Sequence, residues 1–118
     1  MEFVQREVSE RPDIYAVPGG PVVADAFSSS LGEARTFQDA MQVLAKYHDL
    51  SSIWLIAHEG CAYYRGRYPT LDRDAVRGRQ MEDLRRAKPA LAVQTGWAVR
   101  LVYAALEADR VVFATIDD

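Results

Sequence analysis

The run Ile53-Trp54-Leu55-Ile56-Ala57 constrains this chain more than any other stretch. Five consecutive apolar residues lie between Ser51-Ser52 and a polar turn that contains Gly60. They read as a short strand covered on both faces, the pattern of a central parallel strand. The chain then passes straight into His58-Glu59-Gly60-Cys61. A His-x-x-Cys turn just past the carboxyl end of such a strand lies where open α/β sheets place their sites. Imidazole and thiolate together suit a borderline-soft ion, and zinc is the first candidate. Two ligands alone do not close a zinc site.

The flanking segments alternate in character. Phe3, Val4 and Val8 among charges read as one or two helical turns, ended at Pro12. Ile14 to Val17 reads as a strand, followed by Pro18-Gly19-Gly20-Pro21. Two glycines there permit a tight turn and close backbone approach, and Pro21 fits a first helical position. Val22 to Phe27 is expected to be a short helix, closed by Ser28-Ser29-Ser30.

The clearest helix spans Thr36 to His48, where Phe37, Ala40, Met41, Leu44 and Tyr47 form one apolar stripe. Thr36 is its expected N-cap, with Asp39 in the first turn. Ala62 to Pro69 reads as an aromatic and basic loop or short helix. A second long helix is expected from about Leu71 to Arg86, burying Ala75, Val76, Met81, Leu84 and Ala87. Gly78 weakens it, and Pro89 ends or kinks it.

Trp97 to Ala104 reads as a strand and Glu107-Ala108-Asp109 as a turn. Arg110 to Ile116 is expected to be a last strand, antiparallel to the previous one and at a sheet edge. The alternation predicts one α/β domain over residues 1–118, a mainly parallel sheet flanked by helices. Its crossovers should be right-handed.

Charge and cysteine count narrow the function classes. A net charge of -3 gives no basic surface for nucleic acid. The arginines from Arg65 to Arg86 are interleaved with Asp72, Asp74, Glu82 and Asp83, as on a solvated helix face. No apolar run is long enough to cross a bilayer, and the first residues lack the layout of a signal peptide. A single cysteine excludes an internal disulfide framework. The expected location is the cytoplasm.

In this order, the features resemble the β-class carbonic anhydrases, especially their short, divergent carbonic anhydrase-like relatives. The resemblance rests on Asp13 to Gly20 as a strand entering a glycine turn and on the helix Thr36 to His48. It continues through the strand from Ile53 to the His58-x-x-Cys61 turn, the stretch Gln80 to Leu84, and the closing strand pair. It covers nearly the whole chain. It implies a β-carbonic anhydrase-like fold, zinc, and a homodimer or higher homo-oligomer.

The resemblance also shows what the chain lacks. The family holds zinc with Cys, His and Cys. The first Cys lies in a Cys-x-Asp-x-Arg motif on a strand before the glycine turn; its Asp orients the zinc-bound water and its Arg holds the Asp. No such motif occurs here, Cys61 is the sole cysteine, and Ala62 stands where the family usually has glycine. The chain thus resembles a family member truncated at the N-terminus, and the sequence leaves open whether the natural gene product extends further there.

His58 and Cys61 carry over as zinc ligands, and Gly19 and Gly20 as a turn that either contacts substrate or merely redirects the chain. A third ligand could come from Asp13, Asp25, His48 or a neighbouring subunit, and no catalytic residue is named by the pattern. If the family chemistry survives, zinc hydroxide attacks carbon dioxide. The expectation is a carbonic anhydrase-like protein with a degenerate zinc site and weak or no hydration activity. The alternative is a non-catalytic interaction or regulatory module on the same scaffold without metal.

Plainer readings stand beside these. His58 and Cys61 can be a polar turn residue and a buried structural thiol, or Cys61 a reactive thiol. Tyr63, Tyr64 and Tyr68 with Arg65 and Arg67 can line an anion pocket or an interface, or form a partly buried hinge with solvent-facing arginines. Trp54 is read as core and Trp97 as packing at a strand start.

Overall fold

The computed structural model describes residues 31–47 and 50–116. The expected strand at Ile14–Val17, the Gly19-Gly20 turn, the helix from Val22, and the donors Asp13, Asp25 and His48 lie outside the described residues. Within them the order is α1 (Leu31–Tyr47), β1 (Ser52–His58), α2 (Ala62–Arg67), α3 (Arg73–Thr95), β2 (Ala98–Glu107) and β3 (Arg110–Ile116). The architecture is α/β. The three strands form a mixed sheet in the order β1-β2-β3, parallel between β1 and β2 and antiparallel between β2 and β3.

Among the described residues, β2 is the middle strand of this sheet, with β1 and β3 on either side. Its burial shows why: Leu101, Val102, Tyr103 and Ala104 are buried in succession, so both faces are covered. β1 buries Leu55 and Ala57 on one face, while Trp54 and Ile56 on the other are only half-buried. Trp54 therefore lies outside the helix-side core. Its ring faces Arg100, its neighbour in register, with the guanidinium carbon 5.5 Å from the ring centroid.

Strand alternation separates two faces. Ile53, Leu55 and Ala57 pair with Val99, Leu101 and Tyr103. These residues cluster with Phe37 and Met41 of α1 and with Leu84, Ala87 and Leu91 of α3. Trp97 packs against the edge of this cluster as expected. The other face carries Trp54, Ile56 and His58 beside Arg100, Val102 and Ala104.

α1 starts before Thr36, which is a helical residue and not its N-cap. α3 departs further from expectation, running to Thr95 with Pro89 inside it. The carbonyl that a Pro89 N–H would bond belongs to Arg85, and both residues lie on the exposed side, where water can replace the bond. The buried side carries Gln80, Leu84, Ala87 and Leu91, with Asp83 alongside. Ala75, expected in that stripe, is exposed, and Val76 and Met81 are only half-buried.

Both ends of α3 are capped. Asp72 accepts the Ala75 N–H at 2.8 Å. Gly96 adopts φ 72° and its N–H reaches the Ala92 carbonyl at 2.9 Å, a left-handed stop that glycine tolerates. Ala62 to Arg67 takes the helical option of its two readings.

Candidate functional site

β1 ends at His58, and the turn Glu59-Gly60-Cys61 hands the chain to α2. Gly60 sits at φ 75°, where a side chain would be strained. The Glu59 N–H donates to the Ala104 carbonyl at 2.9 Å, extending the parallel ladder one residue past the strand. From α3, the buried Gln80 carboxamide donates to the His58 carbonyl at 2.9 Å. A buried amide needs such a partner, so Gln80 ties helix to turn. Arg73 donates through Nε to Glu59 Oε1 at 3.0 Å, and this contact raises its pKa.

Beneath the turn lies a second polar group. The Tyr64 hydroxyl donates to Asp83 Oδ2 at 2.6 Å in the interior. The other oxygen of Asp83 accepts from Arg86 at 2.7 Å and has Arg79 Nε at 3.5 Å. Asp83 is 3% exposed, so the two guanidinium groups and the phenol take over the role of water. Tyr64 stacks on Tyr68 at 6.1 Å and meets Tyr63 edge-on at 5.6 Å. Arg65 and Arg67 are exposed, and Arg67 donates to the Tyr63 hydroxyl at 2.7 Å. The aromatic segment is thus a partly buried helix with arginines facing solvent.

Burial, and then the bond to Asp83, push the Tyr64 phenol well above its ordinary range. Tyr103 is raised for the same first reason, against an opposing pull from Arg77, whose guanidinium carbon lies 4.5 Å from the ring centroid. A tyrosine that ionises more easily unfolded than folded makes the folded state bind more protons at high pH. Stability from this source is intact below the ordinary tyrosine pKa of 10.0 and is lost as pH rises past it. Urea unfolding is expected to show stability falling above pH 10 by up to about 1.4 kcal/mol per pH unit for each such tyrosine. Tyr64→Phe should make that slope shallower.

The two sequence-predicted ligands are neighbours in the chain but differ in environment. His58 is exposed, with Nδ1 3.1 Å from the Glu59 carbonyl oxygen. Strand alternation puts it on the face of Ile56 and Ala104. Cys61 is buried at the N-cap position of α2. The turn thus presents an exposed imidazole and a buried thiol.

A catalytic zinc takes three protein ligands and keeps a fourth position open. Among the described residues no group of three or more His, Cys, Asp or Glu could hold a metal ion. These residues do not by themselves fit a catalytic zinc, and a closed site would need a donor from elsewhere. Nor is any helix among them long and apolar enough to cross a membrane.

Reading the sequence missed Gln80, Asp83 and Tyr64 as the braces of this edge. Gln80 and Asp83 sit at the spacing of the buried stripe with Leu84 and Ala87. Polar residues in register with a core face were the available signal. Compared with protein-family models, curated proteins and solved structures, the chain matches none.

Proposed function

We propose that this chain is a carbonic anhydrase-like scaffold with a degenerate zinc site, acting as a non-catalytic interaction or regulatory module. One observation carries the reading: the polar groups at the carboxyl edge are committed to bracing the turn. Gln80 holds the His58 carbonyl, Arg73 holds Glu59, and Tyr64 and Arg86 hold Asp83. What remains is a rigid turn that presents His58 at the surface over a buried Cys61. The β-carbonic anhydrase-like and mainly parallel character of the whole sheet belongs to the same proposal.

The reading predicts that His58→Ala changes stability by less than about 0.5 kcal/mol, as for other surface substitutions away from special features. A chelator should leave the urea midpoint of the parent protein where it was. In a zinc-held protein, ligand loss removes metal and folding energy together. A chelator-sensitive midpoint, abolished by His58→Ala, would therefore refute the metal-free module. Carbon dioxide hydration above the buffer rate, lost in the same variant, would restore the enzyme reading.

A further inference from the structure

We infer that Tyr103 and Arg77 form a binding site for a small organic carboxylate at the carboxyl edge of the parallel pair β1 and β2. Two polar groups at this edge take no part in bracing the turn. The first is the Tyr103 hydroxyl. Tyr103 is 2% exposed and pairs in register with Ala57, one residue short of the end of β1. Among the described residues its hydroxyl has no hydrogen-bond partner. A side chain so deeply buried normally has its polar atom paired. The second is the Arg77 guanidinium, exposed and 4.5 Å from the Tyr103 ring centroid. Among the described residues it has no carboxylate partner.

Topology gathers these groups. α3 links the two parallel strands, so its first turns start from their carboxyl edge, where open α/β sheets bind ligands. Arg73 and Arg77 lie one turn apart on α3 and share a face. Burial, the largest influence on the Tyr103 phenol, keeps it protonated and therefore a donor. The charges that act on it are Arg77 first, then Glu59 and Arg73. At Gly60 no atom beyond its chain neighbours lies within 4 Å of where a side chain would begin, so the turn leaves room beside itself.

Both groups are donors, and the guanidinium fork matches the two oxygens of a carboxylate. Charge fixes the valence of the ligand. Arg73 and Glu59 form an ion pair and cancel, which leaves the one positive charge of Arg77. A carboxylate supplies one negative charge. A phosphate dianion would set a second beside Glu59. The ligand oxygens would accept from Arg77 and from the Tyr103 hydroxyl. This inference goes beyond the module reading above and needs neither it nor zinc.

The test is a titration of the isotope-labelled parent chain, followed by its amide resonances with a chelator present. Sodium acetate replaces sodium chloride at constant ionic strength. Resonances of residues 59–61, 77 and 103–104 should shift saturably. Tyr103→Phe and Arg77→Gln should each weaken acetate binding about 10-fold or more, the worth of a hydrogen bond to a charged group. Arg77→Gln alters an exposed side chain, so it decides the matter should Tyr103→Phe fail to fold. Arg77→Lys keeps the charge but not the fork and should also bind more weakly than the parent. The absence of a saturable shift overturns the proposal, as does acetate binding that Arg77→Gln leaves unchanged. Phosphate or bicarbonate binding more tightly than acetate at the same resonances overturns the assignment to an organic carboxylate.

Discussion

Leu91→Ala is expected to destabilise the protein by about 2–5 kcal/mol, the range for a buried leucine truncated in a packed core. Leu91 is 1% exposed and packs in the cluster that joins α3 to the sheet. It lies two residues beyond Pro89, so its burial depends on α3 continuing past the proline. If the helix stopped at Arg86, Leu91 would sit in a loop and its truncation would cost little. Val93, 88% exposed in the same last turns, is the internal control. Val93→Ala should change stability by no more than about 0.5 kcal/mol. Urea unfolding at unchanged slope separates the outcomes, and equal effects at the two positions would contradict the extended helix.

The second large effect is expected at Asp83. Asp83→Ala removes the acceptor of the Tyr64 hydroxyl and leaves that hydroxyl buried and unpaired. The orphaned group alone costs about 1–3 kcal/mol. Arg86 adds little, because its side chain is 41% exposed and can rehydrate. A total loss of about 1–3 kcal/mol follows. Because the penalty belongs to the pair, Tyr64→Phe added to Asp83→Ala should cost less than the two single losses summed. Strict additivity in that cycle would mean that the phenol and the carboxylate do not act together.

Local signals made much of the fold legible. The apolar run at residue 53 became β1, and the turn at Ala108-Asp109 correctly joined two antiparallel strands. The last strand has the bounds the sequence suggested. Elements went astray where tertiary packing overrode a local rule. Pro89 signals a helix end, but burial of Ala87 and Leu91 on either side of it keeps α3 intact. A stop signal was present at Thr95-Gly96, and Gly96 is indeed the left-handed cap.

The stripe of α3 was misplaced for a related reason. Two of its buried positions, Gln80 and Asp83, are polar, and apolar periodicity cannot see a residue whose burial is made tolerable by a distant partner. Those partners are the His58 carbonyl and the Tyr64 hydroxyl, far off in sequence. The His58-x-x-Cys61 pattern marks the turn that follows β1. It could not tell that one residue faces solvent while the other is buried.

The most direct test of the degenerate site is elemental analysis of the purified, untagged chain, with zinc counted per polypeptide under reducing conditions. A metal-free module should hold far less than one zinc per chain, even after supplementation. Near-stoichiometric zinc, lost in His58→Ala and in Cys61→Ala, would contradict that account and establish a third donor outside the described residues or on a second copy.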